Sequence, residues 1–309
     1  SSDFGASRRA VLLPPWVPAC LVSMTLIKHE DFPSAHVAPR HVQIWLPSGY
    51  AEDEEPYAVL YMHDGQNLFE SEAAAFGESW EVPAAMARVL ASGSAKKTLV
   101  VGVWNTAARF REYLPDSLSE RLHGPVREQL LAQQQYGGAP MSSPYVRFLT
   151  EELKPFIDKT YRTSPDAPNT FVMGSSMGGL ASWYALAQRP DVFGAAGCIS
   201  THWPLTILDE VLAKQGDTWK DAVAEAVRTT LSETLPACDS GHRFWFDYGT
   251  EHLDAHYEPY QAVADEVMQQ KGYIQGRDVM TRRYEGASHN ERSWATRLCD
   301  PLAFLLRKD

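Results

Sequence analysis

The sequence predicts an α/β protein in which a mostly parallel central sheet carries helices on both faces. Two observations support this. Short apolar, β-branched runs alternate with helix-period segments along most of the 309 residues, and strands joined by helices of that length pair in parallel. In addition, the residues best suited to chemistry fall just after those runs. That is where ligands gather in such a sheet, at the carboxyl ends of its strands.

Each element follows from local pattern. Residues 20–28 and 41–46 read as two early strands, a hairpin at the sheet edge, and 57–62 (YAVLYM) is a dense buried strand. A helix over 80–90 leads to a second buried strand at 98–104 (TLVVGVW). The polar stretch 107–141 fits an irregular excursion over one face, and 144–161 is helical, with Val146, Leu149, Leu153, Phe156 and Ile157 on one stripe. Strand 170–174, helix 177–188 and strand 193–200 follow, then a mostly helical excursion over 204–234. Strand 243–248, helix 257–271, strand 278–284 and a final helix over 291–306 complete the pattern. The expected organisation is an N-terminal extension, 1–19, followed by one domain, 20–309.

Bulk properties narrow the partners. With 44% hydrophobic and 22% charged residues the composition is that of an ordinary globular chain. The net charge of −11 argues against nucleic acid or an anionic membrane as the main partner. The apolar stretch 10–22 is short and broken by Pro14, Pro15 and Pro18, so no membrane span is expected there. No signal peptide is legible, the first residue is not methionine, and exported and cytoplasmic locations both fit. Cys20, Cys198, Cys238 and Cys299 are too few and too scattered for a disulfide scaffold or a zinc site, and Cys198 and Cys299 read as buried thiols.

Gly174-Ser175-Ser176-Met177-Gly178 fits the G-x-S-x-G pattern between a strand and a helix. Such a turn holds its serine in a strained backbone and requires small residues two positions to either side. Ser176 has glycines at both positions, whereas Ser175 would have Met173 and Met177, so Ser176 is the candidate nucleophile. A helix starting just after it aims N–H groups at a developing oxyanion, the Met177 N–H first. The general base belongs after the last strand, and His289 occupies that place in a loop opened by Gly286. The acid belongs between them, after a strand, where both Glu251 and Asp254 stand. An alternative use of Asp254 is to cap the helix that follows. Asp247 reads as structural, and His252 and His256 lack a complete metal motif, so no metal is expected. The second oxyanion donor is expected from the loop after 57–62, from the N–H of Gly65 or Gln66, with Asp64 and Asn67 fixing that loop through turn hydrogen bonds. His63, Trp104, Arg109, Tyr113, His202 and Trp203 are candidate pocket residues.

Five segments together, LYMHDGQNLF (60–69), VGVWNTAARFREYLP (101–115), FVMGSSMGGL (171–180), FDYGTEHLDAHYEPYQ (246–261) and YEGASHNERSWATRL (284–298), resemble the "Putative esterase", or esterase-D-like, family. That group includes enterochelin and salmochelin esterases, feruloyl and acetyl-xylan esterases, formylglutathione hydrolases and mycolyltransferases. The resemblance runs through nearly the whole chain from about residue 20 and implies the α/β-hydrolase fold. It implies Ser176 and His289 as catalytic residues and favours Asp254 over Glu251 as the acid. It also places Arg109, Glu112, Tyr113 and Pro115 in an element near the site, for which an Arg–Glu pair bracing a loop is the bland alternative. It leaves Glu291 to brace the histidine loop.

The expected activity is serine carboxylic ester hydrolysis through an acyl-enzyme, on small or carbohydrate-linked esters and with no cofactor. The alternatives are an acyltransferase using the same triad, a catecholate siderophore esterase drawing on Arg109, Arg111, Arg282 and Arg283, and a non-catalytic binding protein on this fold.

Overall fold

The computed structural model describes residues 6–10, 25–75, 77–206 and 216–308. Its strands are β1 (Ala6–Ala10), β2 (Thr25–Phe32), β3 (Arg40–Leu46), β4 (Ala58–His63), β5 (Thr98–Val103), β6 (Thr170–Ser175), β7 (Ala195–Ile199), β8 (Arg243–Gly249) and β9 (Val279–Tyr284). They form one sheet in the order β1-β2-β3-β5-β4-β6-β7-β8-β9. From β5 through β9 every pairing is parallel, and β1, β2 and β3 add an antiparallel edge. Residues 6–10, expected in an extension, pair with β2; the expected strand start at Cys20 lies outside the described residues.

Alternation along the strands builds two apolar layers. Val59, Tyr61 and Val172 face one cluster, while Leu60, Met62, Phe171 and Met173 face the other. Helices cover both faces. Helix α1 (Val82–Ala91) lies on the second face, and the short helices α2 (Arg109–Tyr113), α3 (Asp116–Arg121) and α4 (Gly124–Ala132) lie on the first. The 107–141 stretch is therefore a helical, integral part of the core and not an irregular excursion: Tyr113, Leu114, Leu118, Leu122 and Leu130 are all buried. Its apolar positions are too widely spaced among polar residues to stand out as a periodic stripe.

The helix expected over 144–161 is three pieces: α5 (Ser142–Arg147), a π-helical segment (Phe148–Leu153) and α6 (Lys154–Thr160). Pro155 has no N–H and its ring crowds the preceding turn, which widens the helix there. Next come α7 (Met177–Gln188), α8 (Gly216–Thr234) and α9 (Glu258–Gln270). Residues 207–215 of the second excursion lie outside the described set. The final helix is likewise two, α10 (Glu291–Arg297) and α11 (Cys299–Leu305), because Pro301 cannot donate back to Arg297. Cys198 is buried, Cys299 only partly so, and Cys20 is outside the described residues. No helix among the described residues is long and apolar enough to cross a membrane.

Candidate active site

Parallel pairing of β4 with β6, of β6 with β7 and of β7 with β8 brings four strand ends to one edge. At the end of β6 the chain turns directly into α7 through Ser176, whose backbone stands at φ 57°, ψ −123°. That region is costly for any residue with a Cβ, and it persists here because the turn is held on both sides. Ser176 N–H donates to the Ile199 carbonyl (2.9 Å) and the Ser176 carbonyl accepts from His202 N–H (3.1 Å). The flanking glycine has a visible reason: a Cβ at Gly174 would lie 2.9 Å from His63 Cδ2 and 3.0 Å from the Gly178 backbone. Met177 opens α7, so its N–H has no intrahelical acceptor.

His289 lies just ahead of α10, where Asn290 caps the helix by accepting from Ser293 N–H (2.9 Å), while Ser288 N–H donates to Ser293 Oγ. Its Nδ1 meets Asp254 Oδ1 at 2.6 Å. Asp254 is fully buried, and its other oxygen accepts from Ser200 Oγ (2.6 Å) and Gly249 N–H (2.8 Å). Burial alone would raise this carboxyl; the His289 hydrogen bond and charge, with Ser200 and Gly249, outweigh it and hold Asp254 below the usual carboxylate range. Glu251, by contrast, is exposed, and only its backbone joins the histidine loop, donating to the Ala287 carbonyl (3.1 Å). A Cβ at Gly249 would sit 2.1 Å from that same carbonyl oxygen, so the two loops close only over glycine.

The loop after β4 begins with Asp64 in left-handed backbone (φ 55°) and runs into a 3-10 turn, Gly65–Asn67. Gly65 and Gln66 precede the first acceptor within that turn, which leaves their N–H groups without a partner inside it. The side chains of Asp64 and Asn67, expected to hold the loop through turn hydrogen bonds, reach outside the turn instead. Asp64 accepts a bidentate pair from Arg109 (2.8 and 2.7 Å) and a bond from Asn105 Nδ2 (2.6 Å). Asn67 Oδ1 accepts from Ala75 N–H, and its Nδ2 donates to Glu291 (3.1 Å), so Glu291 ties the β4 loop to the helix after His289. The alternative of an Arg109–Glu112 pair does not form: Arg109 holds Asp64, and Glu112 forms a fully buried bidentate pair with Arg40 (2.9 and 2.7 Å).

Several expected pocket residues are supports instead of walls. His63 is buried, bonded to the Tyr145 hydroxyl (2.9 Å), and burial pushes its pKa down to about 4, so it is neutral. Tyr113 is buried beneath the loop, accepting from Asp64 N–H. Trp203 is core, stacked on Trp183 and donating to Gln261. Trp104 is partly exposed and donates to Gln43, with Lys28 above its ring. His202 is buried, its ring centroid 6.5 Å from that of His289.

Four neighbours of the site escaped sequence reasoning: Ser200, Trp294, Arg297 and Tyr257. Ser200 Oγ accepts from Trp294 Nε1 (3.0 Å) and Arg297 Nη2 (2.7 Å), and Arg297 also pairs with buried Asp247 (2.8 Å). The usable signal was spacing: Trp294 and Arg297 stand three apart on one face of α10, as do Asp254 and Tyr257 on their turn.

The chain is similar to known esterases. The chain is 27% identical over 177 residues to an endo-1,4-beta-xylanase/feruloyl esterase of Xylanibacter ruminicola, covering 55% of this chain and 21% of that protein. It is 28% identical over 155 residues to the ferri-bacillibactin esterase BesA of Bacillus subtilis, covering 48% of this chain and 49% of the relative. The chain thus spans half or less of the length of these two relatives. Among solved structures, an IroE-like serine hydrolase from Shewanella oneidensis has the same fold, with a TM-score of 0.60 at 22% identity over 88% of this chain and 78% of that one. A family model spans residues 35–305, from the antiparallel edge to the last helix, and takes in every residue of the site; the chain belongs to the Putative esterase family.

Proposed function

We propose that this chain is a serine carboxylic ester hydrolase with Ser176 as nucleophile, His289 as general base and Asp254 as the acid that orients it. The observation that carries the reading is the left-handed Ser176 on the β6–α7 turn, at the sheet edge where the buried Asp254 engages His289. Because Asp254 occupies Nδ1, the imidazole offers Nε2 to the serine. Ser176 Oγ attacks the ester carbonyl as its proton passes to His289, and the leaving alcohol takes that proton. Water then attacks the acyl-enzyme by the same route. The N–H of Met177, with that of Gly65 or Gln66, receives the oxyanion, since none of these has an acceptor in its own helical turn.

Small or carbohydrate-linked esters are the favoured substrates. The named feruloyl esterase relative supports them. So do the partners of the four arginines that could serve a catecholate: Arg109 is committed to Asp64, Arg111 to the Ala139 carbonyl, Arg282 to Asp300 and Arg283 to Glu285. A catecholate siderophore ester would want such cations free.

The test is hydrolysis of short-chain p-nitrophenyl esters, then feruloylated and acetylated sugars, by wild type and Ser176→Ala. The variant is expected to lose about 10³-fold or more in kcat. A Ser176→Ala protein as active as wild type would end the proposal.

A further inference from the structure

Behind Asp254 lies a group of side chains whose burial is unfavourable at each member. Ser200 is fully buried in left-handed backbone (φ 40°), where glycine would carry no strain. Arg297 is buried as well, yet Nη2 alone of its guanidinium nitrogens makes hydrogen bonds. Nε and Nη1 have no partner, and the plane lies over the Tyr284 ring (4.9 Å). Asp247, which pairs with it, is fully buried, and burial raises its carboxyl above the ordinary range against the lowering effects of Arg297, Trp245 and the Ser200 N–H. A buried guanidinium with idle donors is a poor brace, because an apolar side chain of similar size would fill the place without desolvating a charge. Unfavourable groups gathered at one spot beside a candidate active site point to a task.

All three converge on one hydroxyl. Arg297 Nη2 donates to Ser200 Oγ (2.7 Å) and to Asp247 Oδ1 (2.8 Å), and the same Asp247 oxygen accepts from Ser200 N–H (3.1 Å). The ion pair thus grips Ser200 by backbone and side chain together. Trp294 Nε1 is the third neighbour of Oγ (3.0 Å). Guanidinium and indole can only donate, so between them they take both lone pairs of Oγ. Its own hydrogen is left with Asp254 Oδ2, at 2.6 Å, as acceptor. Arg297 Nη2 stands 4.0 Å from that oxygen, beyond hydrogen-bond reach, so its hold on the carboxylate runs through Ser200.

Resting on the serine hydrolase reading, we infer that Arg297 is a positioning residue for the triad: anchored by Asp247, it fixes the Ser200 hydroxyl on Asp254 Oδ2 and so keeps Oδ1 turned to His289 Nδ1. Without Arg297 one lone pair of Ser200 Oγ is vacated, and the hydroxyl is free to swing off the carboxylate. Asp254 then keeps the Gly249 N–H on Oδ2 but loses its fixed hydroxyl donor, and the imidazole is held less firmly. The effect falls on the step in which His289 takes the Ser176 proton. Substrate binding is spared, since the hydrogen bonds of Arg297 go to Ser200 and Asp247.

The experiment is steady-state hydrolysis of p-nitrophenyl acetate by the full chain, with kcat scaled to the folded fraction read from tryptophan fluorescence. Arg297→Met is expected to lower kcat about tenfold, the worth of one hydrogen bond, with KM within about twofold of wild type. Because a single nitrogen is used, Arg297→Lys should recover kcat to within about threefold, which a site built on a bidentate fork would not allow. In a Ser200→Ala background, Arg297→Met should lower kcat by less than about twofold further, since the hydroxyl it acts through is gone. Should Arg297→Met fail to fold, Arg297→Met/Asp247→Asn removes both charges, keeps an acceptor for Ser200 N–H and takes its place in the same cycle. The inference is overturned if the kcat of Arg297→Met stays within about twofold of wild type, if its loss recurs in full beside Ser200→Ala, or if Arg297→Lys is as slow as Arg297→Met. Failure here is separable from failure of the triad: an inactive Ser176→Ala beside an unaffected Arg297→Met removes the role of Arg297 alone, whereas an active Ser176→Ala removes the hydrolase reading beneath it.

Discussion

Ser200 Oγ donates to Asp254 Oδ2 at 2.6 Å, on the oxygen opposite the one that meets His289. A serine hydroxyl has one donor and two acceptor sites, and this one uses all three, since it also accepts from Trp294 and Arg297. The carboxylate is thus held by a residue that is itself clamped. Ser200→Ala would leave the Trp294 N–H without that acceptor and cost about 1–3 kcal/mol of stability. We expect kcat to fall about tenfold with little change in KM, because the loss acts on imidazole orientation and not on substrate binding. Thermal unfolding and steady-state kinetics on one preparation would check both, and an unchanged kcat would show that Gly249 N–H alone suffices.

The two acids separate cleanly by substitution. Asp254→Asn should lower kcat by about 10⁴-fold by favouring the wrong imidazole tautomer. Glu251→Gln, exposed and bonded to the histidine loop only through its backbone, should stay within about twofold of wild type, as expected of a surface change. The reverse pattern would move the acid to Glu251.

Glu291 sets a pH dependence of stability. Burial raises its carboxyl above the ordinary value, against the lowering effects of its backbone hydrogen bond and of His289 and Arg109. A group whose folded pKa exceeds its unfolded one contributes fully below the unfolded pKa, and that contribution is lost as pH rises through the folded value. Glu291→Gln keeps an acceptor for Asn67 Nδ2 and removes the charge. It should therefore melt above wild type at about pH 8, with the gap closing by about pH 3, below the usual glutamate range. Melting curves at both pH values with the same gap would contradict this.

The buried Arg40–Glu112 pair, stacked beside Tyr145 and Phe148, should behave as a unit. Glu112→Gln or Arg40→Met alone should cost about 3–5 kcal/mol by stranding the partner's charge, while the double apolar replacement Arg40→Met/Glu112→Leu should recover most of that loss. Denaturant unfolding of the three variants gives the coupling directly. Additive losses would mean that the two charges are solvated independently.

What the sequence made legible follows from the range of the interactions involved. The strand–turn–helix around Ser176 was readable because its determinants, Gly174 and Gly178, are neighbours in the chain. So were the parallel strands, whose burial on both faces writes itself as unbroken runs such as TLVVGV. Helix breaks at Pro155 and Pro301 carried a local signal that the continuous apolar stripe masked. The partners of Arg109 and Glu112 could not be read, because Asp64 and Arg40 lie 45 and 72 residues away and come into reach only when β3, β4 and β5 pair. The same holds for Ser200, which meets Arg297 across 97 residues. Charge type and order along the chain were visible; which charge answers which is a property of the closed sheet.

The strand that delivers His289 is also the sheet's last. β9 has a single neighbour, β8, and a largely unburied row of side chains, whereas β6, which delivers Ser176, is flanked on both sides and buried throughout. Edge elements with few buried contacts open at lower free-energy cost than central ones. Turnover therefore reports on one margin of the sheet and not on its centre. On heating, activity should disappear while tryptophan fluorescence from the central layers still reads native, and cooling from that window should restore it. A ligand that spans the β8 and β9 loops would raise the temperature of inactivation more than that of global melting.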